Sequence, residues 1–134
     1  MSDIDTMNTR QKGTLPDHLG IEWDSAEPGR IAGHMQVLPH LLAPNGFLHA
    51  ASVIALADTA CGYGCLMSLP EGAKSFTTIE LKSNFLGTAR TGVVDTVATV
   101  AHSGRTTQLW DAEVIHRDSG KRIALFRCTQ MILY

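Results

Sequence analysis

Cysteine is scarce in this chain of 134 residues: there are three, an odd number. Cys61 and Cys65 share one apolar run and Cys128 lies in a late strand-like run. That pattern excludes a disulfide framework and leads us to expect a reducing compartment. Basic residues are not in excess, with 11 Lys and Arg against 13 Asp and Glu and a net charge of -2, so no nucleic-acid partner is expected. The first twenty residues lack the apolar core of a signal peptide, which predicts a cytoplasmic protein with a loose segment over residues 1–18. No internal repeat, low-complexity tract or linker divides the rest. With 44% apolar composition, residues 19–134 are expected to form a single domain.

What the chain does have is one long apolar run, Leu48 to Ser68. From Ala50 to Leu66 it contains no Pro, Lys or Arg, and a helical reading leaves no polar face, so a buried central helix is expected. It would be roughly 28 Å long, which suits a domain core and approaches a bilayer span. Asp58 in mid-run and the many small residues argue against a membrane. Asp58 is the one carboxylate in the run, and His49 stands at its start.

Around this helix the pattern has the period of strands. Leu19 to Val37 alternates weakly about the turn signal Glu27-Pro28-Gly29 and predicts a hairpin. Pro39, Pro44 and Asn45-Gly46 then forbid a regular element before the helix, and Leu69-Pro70-Glu71-Gly72 ends it. Four strand-like runs follow, Thr77–Phe85, Val93–Ala101, Gln108–His116 and Arg122–Leu133, and the short turns between them predict an antiparallel meander. The order predicts an α+β fold in which a curved antiparallel sheet wraps one long central helix. One sheet layer cannot cover a helix on every side, so a second copy of the chain is expected on the far face. Gly62 and Gly64, costly inside a helix, would suit the close approach of another backbone there.

Three stretches carry a family likeness: Gly46-x-x-His49-Ala50-Ala51, Leu56-Ala57-Asp58-Thr59-Ala60, and Ile79 to Leu86. Together they resemble the hotdog-fold acyl-CoA thioesterases of the phenylacetate-degradation and 4-hydroxybenzoyl-CoA type, over nearly everything after residue 19. That family's helix start reads Asn-x-x-Gly-x-x-His-Gly-Gly, with an acidic residue nine positions after the His. Gly46, His49 and Asp58 keep the register. The family's Asn falls on Ala43 and its two glycines on Ala50 and Ala51. The first departure removes a polar side chain near the site, and the second narrows the space above the Ala50 amide.

The resemblance implies hydrolysis of an acyl-CoA, with an aromatic or medium-length acyl group, by a homodimer or dimer of dimers without metal or cofactor. Physically, the Ala50 N–H in a first helical turn can polarise a thioester carbonyl. Asp58 can attack the thioester carbon directly or draw a proton from water, and both routes stay open. Eight residues separate the two, about 12 Å along the axis and roughly 80° around it. One chain therefore cannot bring both to one carbonyl, whereas two antiparallel helices about a twofold axis can. His49 would orient the carbonyl or hold the loop, Gly46 would shape the substrate-binding turn and Thr59 would hold water. Arg90, His102 and Arg105 lie in turns where the family often meets the nucleotide of CoA, though a solvated turn charge is the better explanation for any single one of them. A buried structural role for Asp58 and a non-catalytic acyl-CoA-binding protein are the competing readings. Cys61 and Cys65 are expected to be core packing.

Overall fold

The structure is a computed structural model that describes residues 2–134. Two short helices, α1 (Asp3–Arg10) and α2 (Leu15–His18), precede a hairpin, β1 (Glu22–Glu27) and β2 (Arg30–Gln36). A single 3-10 turn at Pro39–Leu41 leads to the long helix α3 (Ala50–Met67). Four strands complete the chain: β3 (Ser75–Phe85), β4 (Val93–Ser103), β5 (Thr107–His116) and β6 (Arg122–Leu133). All six strands form one antiparallel sheet, in the order β1-β2-β4-β5-β6-β3.

The predicted α+β architecture of a sheet around one helix is present, but the four-strand meander is not. Only β4, β5 and β6 run as consecutive neighbours. β3 pairs with β6 at the far edge, from Ser75↔Leu133 to Phe85↔Ala124, while β4 pairs with β2, as in Met35↔Val94. Side-chain chemistry explains the exchange. Val94, Thr96 and Ala98 of β4 are buried and suit a central strand, whereas Glu80, Lys82 and Asn84 of β3 are exposed and suit an edge.

The core lies between the sheet and one side of α3. Val53, Leu56, Ala57, Ala60, Cys61 and Cys65, at the three-and-four spacing of a helical stripe, pack with Ile31, Met35, Trp110, Val114 and Cys128. The helix expected to be sealed all round is therefore sealed on one side by its own chain. Ile54, Ala55, Asp58, Thr59, Gly62 and Leu66 stay half-buried on the other.

Gly64 also differs from expectation. A Cβ there would stand 2.4 Å from the Trp110 ring, so an indole of the same chain, rather than a partner's backbone, accounts for the glycine.

Of the segment 1–18, expected to be loose, residue 1 lies outside the described residues and residues 2–18 carry defined structure instead. Ser2 and Asp5 form a capping box at the start of α1, and Met7 beneath it is 4% exposed. Gln11, 5% exposed, receives the Trp23 indole N–H at 2.9 Å and donates to the carbonyl of Ile21. These buried polar contacts hold the segment against β1 and the residue before it, and the Tyr63 hydroxyl, donating to the Met7 carbonyl at 3.1 Å, ties it to α3.

Candidate active site

The start of α3 is shaped by the loop before it. Gly46 adopts φ 87°, a left-handed conformation that glycine accepts without strain, and its N–H donates to the Ala43 carbonyl at 2.9 Å. Ala43 N–H in turn donates to Phe47 O at 2.7 Å. Gly46 thus acts by bending the loop. His49 is the N-cap: its Nδ1 accepts the Ala51 N–H at 2.8 Å. Because a backbone amide can only donate, Nδ1 is the acceptor and the neutral ring carries its proton on Nε2. The His49 carbonyl takes the Ser52 and Val53 amides, and Ser52 Oγ ties the turn to Leu41 O at 2.9 Å. Among the described residues, the Ala50 N–H has no acceptor.

Ala50 and His49 open onto a cavity of about 420 Å³ whose walls include Ala43, Asn45, Phe47 and Phe85. The Arg90 guanidinium carbon lies 4.2 Å from the centroid of the Phe47 ring, so a cation stands beside this cavity. Arg105 is elsewhere. Its carbonyl accepts the Tyr134 hydroxyl, and it lies in the β4–β5 turn next to Gln108, which bonds the Ser68 carbonyl just past the far end of α3. His102 belongs to that same end. Within one chain Arg90 and Arg105 therefore cannot serve one ligand.

Asp58 opens onto a second cavity, of about 380 Å³, between α1, α3 and β3. Its Oδ1 is buried and accepts no hydrogen bond among the described residues. Burial pushes its pKa above the ordinary carboxylate range, because the anion has lost water without gaining donors. Thr59 lines the same cavity. Its hydroxyl donates to Ala55 O at 2.6 Å, which leaves its lone pairs to accept. The site residues thus divide into two groups, His49, Ala50 and Arg90 in one and Asp58 and Thr59 in the other.

Arg10, Tyr63, Phe76 and Thr78 also line the Asp58 cavity and went unnoticed in the sequence, as did Phe47 at the first one. The Ser2–Asp5 spacing of a capping box was the available signal for the helix that carries Arg10. The two thiols on the helix, Cys61 and Cys65, are buried and offer no nucleophile. Cys65 is pushed up to about 12 by burial, and Cys61 is raised well above the ordinary thiol value by its hydrogen bond to Cys128 and by burial.

The profile of the Thioesterase superfamily matches residues 45–123, more than half of the chain. A 1,4-dihydroxy-2-naphthoyl-CoA hydrolase of Listeria monocytogenes is 29% identical over 86% of this chain and 92% of its own. A proofreading thioesterase, EntH, of Cronobacter turicensis is 27% identical over 97% of this chain and 93% of its own. Among solved structures, a mutant thioesterase from Pseudomonas aeruginosa superposes with a TM-score of 0.92 at 28% identity, over 99% of this chain and 95% of that one. An uncovered first-turn amide and a half-buried carboxylate on one central helix, inside a matching sheet, are thus found in a chain that belongs to the thioesterase superfamily and is a thioester hydrolase of the hotdog fold.

Proposed function

We propose that the protein hydrolyses an acyl-CoA thioester, with an aromatic or medium-length acyl group, in a composite site made by two copies of the chain. The observation that carries this reading is the division of the reacting groups. Ala50 and Asp58 line separate cavities of one chain, and both sit on the side of α3 that its own sheet leaves open. Two such helices laid antiparallel bring the amide of one to the acid of the other. The surface beside them favours a second copy: β3 is a free sheet edge, and its Ile79, Leu81 and Phe85 are 52%, 41% and 44% exposed. The Listeria relative's name, a hydrolase of an aromatic acyl-CoA, supports the substrate class.

In this site the thioester oxygen faces the Ala50 N–H, with the His49 Nε2–H as a second donor. Donors of this kind are worth about 10²–10³ in rate. Asp58 of the other copy acts on the carbon, either attacking it directly or taking a proton from the attacking water. The C–S bond then breaks, and the CoA thiolate leaves and is protonated; on the direct route water afterwards cleaves the mixed anhydride left on Asp58, releasing the free acid and regenerating the carboxylate. Arg90, stacked beside the first cavity, is placed to meet phosphate or adenine of CoA.

Thiol release from phenylacetyl-CoA, benzoyl-CoA and aliphatic acyl-CoAs tests the reading. Asp58→Ala is expected to lose about 10²–10⁴ in kcat while remaining folded. Mixing Asp58→Ala chains with Ala50→Pro chains is expected to restore part of the activity, since a mixed dimer holds one intact pair. Unchanged turnover in Asp58→Ala refutes the catalytic assignment. Absence of recovery in mixtures of folded, dimeric variants refutes the shared site.

A further inference from the structure

The cavity at the start of α3 has more polar groups than the reaction uses. In the proposed site the Ala50 N–H and the His49 ring serve the thioester oxygen, while the Asn45 carboxamide and the Thr88 hydroxyl line the same space without a part in the chemistry. Asn45 stands at the tip of a tight loop. Pro44, Asn45 and Gly46 turn between Ala43 and Phe47, which are hydrogen-bonded at 2.7 Å, and Leu42 bridges Leu48 behind them. Within this loop Asn45 Oδ1 accepts the Phe47 N–H at 3.2 Å. An aspartate makes the same turn, so the loop asks for the oxygen and leaves the NH2 group unexplained. Because the Phe47 amide can only donate, it fixes which end of the carboxamide is oxygen. The other end, Nδ2, carries two N–H donors with no acceptor among the described residues.

Both walls around that group are firmly held. Opposite the loop, the Leu86 and Gly87 N–H groups donate to Ile123 O at 2.8 and 3.2 Å, and Ala89 O accepts the Leu48 N–H at 2.8 Å. Arg90, the next residue, stacks on the Phe47 ring, which sets the phosphate end of the substrate on the flank of the same loop. From Leu48 to Asn45 the loop runs three residues outward, up to about 10 Å at the rise of extended chain. A donor placed there reaches past the oxygen held by Ala50, toward the carrier arm. In that arm the first amide carbonyl follows two methylenes after the sulfur, about 6 Å from the thioester carbon at ordinary bond lengths. A carbonyl taken out of water needs a donor, and the neighbouring walls Ala43, Phe47 and Phe85 offer no side-chain donor.

We infer that Asn45 is a specificity-determining residue for the thiol half of the substrate, its Nδ2 donating to the amide carbonyl nearest the sulfur in the pantetheine arm. The inference rests on the Ala50 N–H holding the thioester oxygen, as proposed above. The test is a truncation series with one acyl group, the phenylacetyl thioesters of propanethiol, N-acetylcysteamine, pantetheine and CoA. The first has no amide and the second adds only the one nearest the sulfur. In the wild type, kcat/KM is expected to rise by about three- to tenfold from the first to the second, chiefly through KM. Asn45→Asp, which keeps the Phe47 bond without the NH2 group, and Asn45→Gly, which is uncharged and at home in a turn, are both expected to lose that step. The steps from N-acetylcysteamine to pantetheine and, in Asn45→Gly, on to CoA are expected to stay as in the wild type. Differences in leaving-group acidity are the same for every variant and cancel in the comparison. A change in loop shape alone slows all four thioesters together, so a first step equal in wild type and both variants overturns the inference. If the wild type cleaves none of the four, the hydrolysis proposal fails on its own. In that case, or if only the longer thioesters are cleaved, calorimetric binding of the phenacyl thioethers of N-acetylcysteamine and propanethiol decides. Tighter binding of the amide-bearing thioether that disappears in Asn45→Gly supports the assignment, and a Kd ratio unchanged by the substitution overturns it.

Discussion

Two glycines two residues apart on one helix, facing opposite sides of it, are expected to respond to the same substitution with opposite signs. Alanine is about 0.8–1.0 kcal/mol better than glycine inside a helix, and this gain is available at both positions. At Gly64 the new Cβ would lie 2.4, 2.5 and 2.9 Å from three ring atoms of Trp110. Carbon atoms rest at about 3.5–4.0 Å, so roughly 1 Å of movement is required. The indole cannot supply it. Trp110 is fully buried, and its N–H is held at 2.8 Å by Gln108, whose own amide is tied to Ser68 O at 3.0 Å. The helix must lift instead, at an overpacking cost near the upper end of about 1–3 kcal/mol. The net loss is about 2 kcal/mol. At Gly62 the contact is with the edge of the Phe76 ring, Cζ at 3.3 Å and Cε2 at 3.9 Å, and Phe76 is half-buried rather than locked in the core. Most of the propensity gain survives there.

At about 4 °C per kcal/mol for a domain of this size, Gly64→Ala is expected to lower Tm by about 8 °C and Gly62→Ala to raise it by up to about 4 °C. Urea denaturation of wild type and both variants at matched protein concentration measures the difference, with Gly64→Ala/Trp110→Phe as the coupled double mutant. Relief of at least about 1 kcal/mol relative to the sum of the single changes is expected in that double mutant. Changes of the same sign in the two alanine variants, or a Gly64→Ala as stable as wild type, refute the reasoning. A concentration-dependent loss in Gly62→Ala would instead place a partner's backbone at that position.

Asp58→Asn is expected to cost about 10²–10⁴ in kcat and to raise stability at neutral pH. Burial raises the folded-state pKa above the unfolded value. Through the window between them the folded chain binds the extra proton, so wild-type stability falls as pH rises and stays lower above it. The gain in Asp58→Asn is expected to vanish below the ordinary aspartate range, and denaturation at pH 3 and pH 7 checks this. The acid limb of the wild-type rate profile is expected above 3.8 for the same reason. His49→Ala removes the cap on the Ala51 amide and is expected to lose about 0.5–2 kcal/mol of stability along with activity. His49→Asn, which caps well, is expected to recover stability without activity; recovery of both would reduce His49 to a cap.

The long helix, its start at Ala50, the hairpin and the extents of the later strands were all legible, because periodicity and turn chemistry are local. Asp58 stood out for the same reason, as one carboxylate in an apolar run. The place of β3 was not legible: whether the seven-residue connection between β3 and β4 keeps them side by side or lets β4 cross away from it depends on which strand best fills the centre. Arg10 was hidden because α1 is held by Gln11, Tyr63 and Trp23, contacts that join residues up to 56 positions apart. Gly64 was read for a partner's backbone when an indole 46 residues later is what requires it.

By itself, then, the amino-acid order determined the elements and the chemical character of the two reacting groups, the helix-start amide and the isolated acid. Only the tertiary structure decided that these face different cavities, that Arg90 and not Arg105 stands by the first, and that Arg10 lines the second. The reason is physical: hydrogen-bonding capacity and helical or extended period belong to a few neighbouring residues, whereas burial, cavity walls and the distance between charges arise when segments remote in sequence pack together.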